Sequence, residues 1–109
     1  MIARLWHGWT TVDDAPRYEE HLRQETFPRL RGIEGYVDGY LLRRDSGDRV
    51  DFTVLTLWES LDAIRAFAGD DYETAVVPDA ARLVLRGFDE CVTHHEVAIG
   101  PDRSLQILD

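Results

Sequence analysis

Two periods of hydrophobic residues alternate along the chain and predict strands and helices. Residues 2–9 are rich in apolar and aromatic types and predict a first strand. Residues 50–59 predict the clearest strand, because bulky side chains alternate on both of its faces. One face carries Phe52, Val54, Thr56 and Trp58, and the other carries Thr53, Leu55 and Leu57. Both faces of this strand are therefore expected to be covered.

Helical spacing separates the predicted strands. Residues 14–27 predict a first helix with an acidic start and an end before Pro28. Residues 61–68 predict a second helix, which has a serine at its N-cap and a glycine at its end. A further helical stretch is expected from residue 70 or 71 to residue 85, with a break at Pro78.

The remaining strands complete the order βαββαβ. Residues 36–44 predict a strand that a polar turn joins to the next one, and residues 88–99 predict the last strand. This order is typical of the α+β ferredoxin-like fold, in which the last strand pairs antiparallel with the first, and the first also neighbours the third. One sheet face then lacks helices. If Phe52 and Val54 lie on that face, a second copy of the chain is expected to cover it.

The end of the sequence differs from the rest. Gly100 and Pro101 stop the last strand, which divides the chain into a domain over 1–99 and a tail over 100–109. The tail contains Leu105, Ile107 and Leu108, so it is expected to pack on the partner subunit or near a cavity mouth.

Composition narrows the class of function. The chain has 109 residues and a net charge of −9, from 12 basic and 21 acidic residues, and all of the basic residues are arginine. Nucleic acid and anionic membranes are therefore not expected as partners. A lone cysteine, Cys91, excludes an internal disulfide and is expected to be a buried, unreactive thiol. No targeting segment or membrane-spanning run is found, so the cytoplasm is the expected compartment.

Three segments resemble the antibiotic biosynthesis monooxygenase family. They are residues 2–8 (IARLWHG), residues 57–70 (LWESLDAIRAFAGD) and residues 92–97 (VTHHEV). The middle segment is the most specific, since it joins a strand ending in Trp-Glu-Ser to a helix closing with Phe-Ala-Gly-Asp. The resemblance implies a homodimeric α+β barrel. It also implies one of several activities: cofactor-independent oxygenation of polyketide phenols, oxygenation of small quinols, or haem degradation.

Departures from the family pattern reduce these options. The haem-degrading members use a strand asparagine, a helix tryptophan and a helix histidine that binds iron. This sequence contains no asparagine; Phe67 stands near the tryptophan position, and Val76 or Val77 stands at the histidine position. Haem degradation is therefore not expected. No glycine-rich phosphate loop, flavin fingerprint or nucleophile motif is present, so no cofactor is expected.

The catalytic candidates are two histidines, His7 and His94. An antiparallel register that sets His7 opposite His94 and Leu5 opposite Glu96 would place both imidazoles side by side. Adjacent imidazoles disfavour double protonation, which keeps a neutral base near neutral pH. Such a base can remove a phenolic proton, and the resulting anion can pass an electron to O2 without a cofactor.

Other interpretations of these residues stay open. The histidines are equally compatible with half-buried strand positions whose partners are structural. With Glu96, which shares a face with His94, they also form a set that suits non-haem iron or zinc, although no metal is expected. His21 lies among glutamates and is expected to be a solvated surface residue.

Aromatic residues are expected to wall a pocket for a small aromatic molecule. Trp6, Trp58, Phe67 and Tyr72 are the main candidates for substrate contacts, with Trp9 and Phe52 beside them, although Trp58 also fits a purely structural core position. The sequence therefore predicts a cofactor-independent monooxygenase acting on a small aromatic or quinol-like compound. The alternative is a non-catalytic protein that binds small molecules on the same scaffold.

Overall fold

A single antiparallel sheet organises the computed structural model, which describes residues 1–101. Its strands are β1 (Ile2–Thr11), β2 (Tyr36–Ser46), β3 (Arg49–Trp58), β4 (Gly87–Phe88) and β5 (Thr93–Glu96). Their order is β2-β3-β1-β4, and β5 also pairs with β1. The predicted α+β ferredoxin-like architecture, with the first strand between the third and the last, is confirmed.

The first helical region is longer than expected. Helix α1 (Ala15–His21) continues through a π-helical segment (Leu22–Thr26) into α2 (Phe27–Arg31). The expectation that the helix ends before Pro28 is wrong. A proline lacks the backbone N–H, and its ring clashes with the carbonyl four residues earlier in a regular helix. Here the turn before the proline is widened, because the N–H of Phe27 donates to the carbonyl of Leu22, five residues back.

The second half of the chain departs most from the sequence pattern. Helix α3 (Leu61–Ala68) forms as predicted, and the Ser60 hydroxyl accepts a hydrogen bond from its first turn. Only α4 (Asp79–Arg82) is helical in the predicted 70–85 stretch. The last strand is also interrupted between β4 and β5, because the loop around Thr74 pairs there with Cys91. This pairing leaves the Cys91 side chain exposed rather than buried.

The sheet has a covered face and an open face. The covered face carries the even-numbered residues of β1 and β3, and the helices pack on it. The ring of Phe52 lies there, 4.9 Å from the ring of Tyr18 between centroids. Trp58 is fully buried with Ile64. Phe52 and Val54 are therefore not on the face without helices.

The open face carries the odd-numbered residues of β1 and β3, together with Tyr40 and Leu42 of β2. No helix of residues 1–101 packs on its apolar row, in which Leu5 pairs with Leu55, and Leu55 pairs with Tyr40. Tyr40 and Leu42 are about half exposed. Among the described residues, no helix is long and apolar enough to cross a membrane.

Candidate functional site

A cavity of about 580 Å³ lies on the covered face of the sheet. Its floor consists of Arg4 and Trp6 of β1 with Val54 and Thr56 of β3, which pair across the two strands. One wall is the helical region between residues 18 and 30, and the other is the segment 76–81. Apolar side chains make up most of both walls, so the cavity suits a small hydrophobic molecule.

Only some of the predicted contact residues line this cavity. Trp6 and Phe67 do. Trp58 lies behind the wall: it stacks on Phe67 at 5.7 Å between ring centroids, and its Nε1 donates to the hydroxyl of Thr56 at 2.8 Å. Tyr72 contributes its backbone carbonyl to Arg4 and packs its ring against His94. These two residues therefore shape the cavity through the residues that line it.

The other two aromatic candidates lie away from the cavity. Phe52 belongs to the core around Tyr18. Trp9 is on the open face, where the guanidinium of Arg49 lies 4.7 Å from its ring centroid.

The predicted juxtaposition of His7 and His94 is wrong. In the observed register His94 pairs with Arg4, while His7 lies three residues further along β1 and faces the opposite side of the sheet. A displacement by an odd number of residues exchanges the two faces of a strand. His7 instead contacts Asp51 on the open face, with its Nε2 3.2 Å from the carboxylate oxygen.

The same register separates the residues considered as metal ligands. His94 and Glu96 are on the covered face and His7 is on the open face. Within residues 1–101, no group of three or more His, Cys, Asp or Glu side chains is arranged to hold a metal ion.

Arg4 is the central polar residue of the site. Its side chain is buried, with 5% of the residue exposed. Nη1 donates to the carbonyl of Tyr72 at 2.5 Å and contacts Nε2 of His94 at 3.0 Å, and Nη2 donates to the carbonyl of Thr74 at 3.4 Å. None of these partners is a carboxylate. Burial lowers the pKa of Arg4 to about 10, so the guanidinium remains charged at neutral pH.

His94 contacts the Arg4 guanidinium from outside the cavity lining. Since a guanidinium can only donate, Nε2 of His94 must accept, which assigns the ring hydrogen of the neutral imidazole to Nδ1. Burial, followed by the nearby charge of Arg4, lowers the pKa of His94. Both effects favour the neutral form that the hydrogen bond requires.

His21 is part of the cavity wall, which corrects its expected place on the solvated surface. The residue lines the cavity, and its Nε2 is buried without a hydrogen-bond partner among residues 1–101. The surrounding glutamates concealed this position in the sequence. The signal that could have revealed it is helical spacing, since Tyr18 and Leu22 are the buried residues of the same turns.

A pH dependence of stability follows from the lowered pKa of His94. The unfolded chain takes up this proton near the ordinary value of about 6.5, before the folded chain does. The free energy of unfolding therefore decreases as the pH falls through that region. We expect His94→Gln to flatten this part of the profile in urea unfolding between about pH 7.5 and pH 5.5.

The matched control for this change is His95→Gln, which removes the adjacent, exposed imidazole on the other face of β5. This variant should retain most of the slope of the wild-type protein, because the charge of His95 is the smallest of the causes that lower the pKa of His94. Equal slopes in the wild-type protein and in His94→Gln would contradict the buried, neutral imidazole.

Comparison with known proteins identifies the fold. No family model matches the chain, and no curated protein matches it in sequence. The heme-degrader MhuD from Mycobacterium tuberculosis, solved with two hemes in its active site, is 20% identical over 93% of this chain and 99% of that one, with a TM-score of 0.61.

Two further solved structures are similar. SnoaB, a cofactor-independent oxygenase from Streptomyces nogalater, is 16% identical over 93% of this chain and 97% of that one, with a TM-score of 0.61. A Deinococcus radiodurans protein provisionally named an antibiotic biosynthesis monooxygenase is 13% identical over 94% of this chain and 97% of that one, with a TM-score of 0.67. The resemblance to the antibiotic biosynthesis monooxygenases is confirmed at the level of the fold.

Proposed function

We propose that this protein binds a small phenol or quinol in the cavity and oxygenates it without a cofactor. The observation that carries the proposal is the buried cation of Arg4 on the floor of a largely apolar cavity, with no carboxylate among its hydrogen-bond partners. A fixed positive charge whose own side chain is shielded from water, as that of Arg4 is, stabilises an oxygen anion more than water does. The fold shared with SnoaB, a cofactor-independent oxygenase, supports the same class of reaction.

The reaction begins with loss of the phenolic proton. Glu25 lines the cavity from the helical wall, and its carboxylate can accept this proton; His21 also lines the cavity, but its Nε2 is covered by protein atoms. The phenolate, held beside Arg4, transfers one electron to O2, and the resulting radical pair combines to form a carbon–oxygen bond. The peroxide formed takes up the abstracted proton, and loss of the hydrogen on the attacked carbon together with hydroxide, as water, leaves a quinone: one oxygen atom of O2 becomes the new carbonyl, and the other leaves in water.

The two histidines selected from the sequence have different places in this proposal. His94 is a positioning residue, because it contacts Arg4 and does not itself line the cavity. His7 takes no part, because it lies on the open face. The proton acceptor is therefore placed on the helical wall rather than between two strands.

Haem does not fit the residues of this cavity. Val76 and Val77, which stand where the resemblance places an iron-binding histidine, both line the cavity and provide no ligand atom. The imidazole of His21 borders the cavity from the helical wall, but its Nε2 is covered by protein atoms. The proposal therefore includes no step on haem.

We also propose that two copies of the chain associate through their open faces. The apolar row of Leu5, Leu55 and Tyr40 crosses the sheet on this side, and no helix of residues 1–101 covers it. A contiguous apolar surface of this kind favours a symmetric contact with a second copy.

Oxygen consumption tests the proposed reaction. We expect chelator-treated protein to consume O2 with at least one member of a panel of hydroquinones and naphthols, and to release a quinone that contains one oxygen atom more than the substrate. Arg4→Gln should lower kcat/KM by about 10²–10³, the range typical of removing a group that stabilises a developing anion. His7→Gln is the control, since it changes a polar residue of the same strand on the other face.

Binding without oxygen consumption across the panel would instead support the non-catalytic alternative. An equal loss of turnover in Arg4→Gln and His7→Gln would contradict the role given to Arg4. Circular dichroism of both variants shows whether they fold.

A further inference from the structure

Two guanidinium groups meet at one aromatic ring at the end of the cavity. The Cζ of Arg4 lies 5.7 Å from the centroid of the Phe67 ring, and the Cζ of Arg29 lies 5.5 Å from the same centroid. Arg4 comes from β1 and Arg29 from α2, so the floor and the helical wall each supply one charge. All three residues line the cavity.

Arg4 retains hydrogen-bonding capacity on one edge. Both hydrogens of Nη1 and one hydrogen of Nη2 are used by Tyr72, His94 and Thr74. The Nε–H and the second Nη2–H have no partner among residues 1–101. Among residues 1–101, Nε2 of His21 is the only fully buried side-chain nitrogen or oxygen without a hydrogen-bond partner. Nε of Arg4 also lacks a partner, so it must be accessible to solvent. Neighbouring N–H groups of a guanidinium form the fork that binds the two oxygens of a carboxylate.

The charges around this end of the cavity favour an anion. A buried cation is costly unless a counter-charge accompanies it, whereas exposed arginines are solvated by water. Arg4 is buried and forms no ion pair within residues 1–101. Arg29 is exposed and solvated, and it adds a second positive charge without an ion-pair partner in the same residues, while Arg17, on the outer side of the same helical region, pairs with Asp14. Glu25 also lines the cavity, so the local sum of these three charges is still positive.

We infer that the Arg4, Arg29 and Phe67 end of the cavity is a carboxylate-binding subsite, and that the ligand is an aromatic carboxylate. The inference rests on the proposed function for the aromatic part of the ligand. Carboxylate oxygens fit the free fork of Arg4, and Arg29 supplies a second charge from the other side of the Phe67 contact. The remaining walls, including Trp6, Val54 and Ala81, accommodate the hydrocarbon rings.

The net charge of the protein does not attract anions to the cavity. Its net charge is −9, so the average field repels a carboxylate. A preference for the carboxylate form of a ligand must therefore come from groups within the cavity, and this makes the comparison of two ligands informative.

Binding of a matched pair of ligands tests the subsite. 1-Hydroxy-2-naphthoate and 1-naphthol share their rings and hydroxyl and differ in the carboxylate, and their dissociation constants are measured by calorimetry under anaerobic conditions at neutral pH. We expect the carboxylate to bind at least about tenfold more tightly, as a charged hydrogen-bonded pair provides. Arg29→Gln should reduce that ratio several-fold and leave the affinity for 1-naphthol unchanged.

The control variant is Arg17→Gln, which removes the same charge from the same helical region outside the cavity. It should leave both affinities within about twofold, because Arg17 is outside the cavity lining and its exposed charge is paired with Asp14 and screened by salt. Arg29 is exposed, so its replacement leaves the fold intact, and Arg4→Gln adds a second measurement in which the ratio falls to about one.

Three results would overturn the subsite: equal affinities for the two ligands, an equal effect of Arg29→Gln on both, or an effect of Arg17→Gln as large as that of Arg29→Gln. The proposed oxygenation fails separately. Tight, arginine-dependent binding of the naphthoate without oxygen consumption on any phenol would leave the subsite and remove the reaction. Turnover of uncharged naphthols, together with equal affinities for 1-hydroxy-2-naphthoate and 1-naphthol, would support the reaction and remove the subsite.

Discussion

Replacing Trp58 with alanine should lower the free energy of unfolding by about 3–5 kcal/mol, the range for removing a large aromatic side chain from a core. Trp58 is fully buried at the end of β3, where Tyr36 packs edge-on against it at 5.3 Å and Phe67 stacks on it at 5.7 Å between centroids. Its Nε1 also donates to the hydroxyl of Thr56. Trp58 thus contacts β2, α3 and the cavity floor at the same time. Truncation to alanine leaves a void among these elements, and the surrounding side chains cannot fill it without moving the backbone.

Urea unfolding monitored by circular dichroism measures this effect. Trp58→Phe is the matched control, because it keeps an aromatic ring and loses the hydrogen bond to Thr56, and it should cost clearly less than the alanine variant. A loss below about 1 kcal/mol for Trp58→Ala would show that the site collapses around the change, and that Trp58 does not support the cavity.

Local sequence patterns were sufficient to predict the elements that pair or pack with their neighbours in the chain. The alternation in β3 predicted its two faces, and α3 followed from its N-cap and its apolar stripe. The hairpin between β2 and β3 was equally clear, because Gly47, with φ of 68°, allows the tight turn that the polar residues indicated.

Elements that depend on distant contacts were predicted less well. A helix was expected from residue 70 or 71, but the amide of Ala75 donates to the carbonyl of Glu90, and the amide of Val92 donates to the carbonyl of Glu73. These backbone bonds replace a helix by an extended loop and interrupt the last strand. That interruption also changes the register of β5, which separated the two predicted histidines.

The site was only partly visible for the same reason. Trp6 and Phe67 were found as aromatic residues of the expected pocket, and both line the cavity. Arg4 and Arg29 were missed, because charged residues in a strand and on a helix are usually solvated. The alternation of β1 contains the missing signal, since Arg4 shares the face of Trp6. The tail residues Leu105, Ile107 and Leu108 lie outside the described residues, so their expected packing stays a prediction.

The largest effect on assembly is expected from a charge on the open face. In solution, light scattering of the wild-type protein should give twice the chain mass of 12.5 kDa at micromolar concentration. Leu55 lies at the centre of the apolar row between Leu5 and Tyr40, so a symmetric dimer through this face buries it beside the second copy. Leu55→Arg then places an unpaired charge in the interface, at a cost of several kcal/mol.

Such a cost corresponds to a rise of about 10³ or more in the dissociation constant, which sedimentation equilibrium can measure. Leu83→Arg is the matched control: it introduces the same side chain at a residue that is 83% exposed, and it should leave the dimer intact. If both variants and the wild-type protein sediment as dimers, the interface lies elsewhere. A folded wild-type monomer at micromolar concentration would contradict the barrel, because the open face of each sheet would then remain in water.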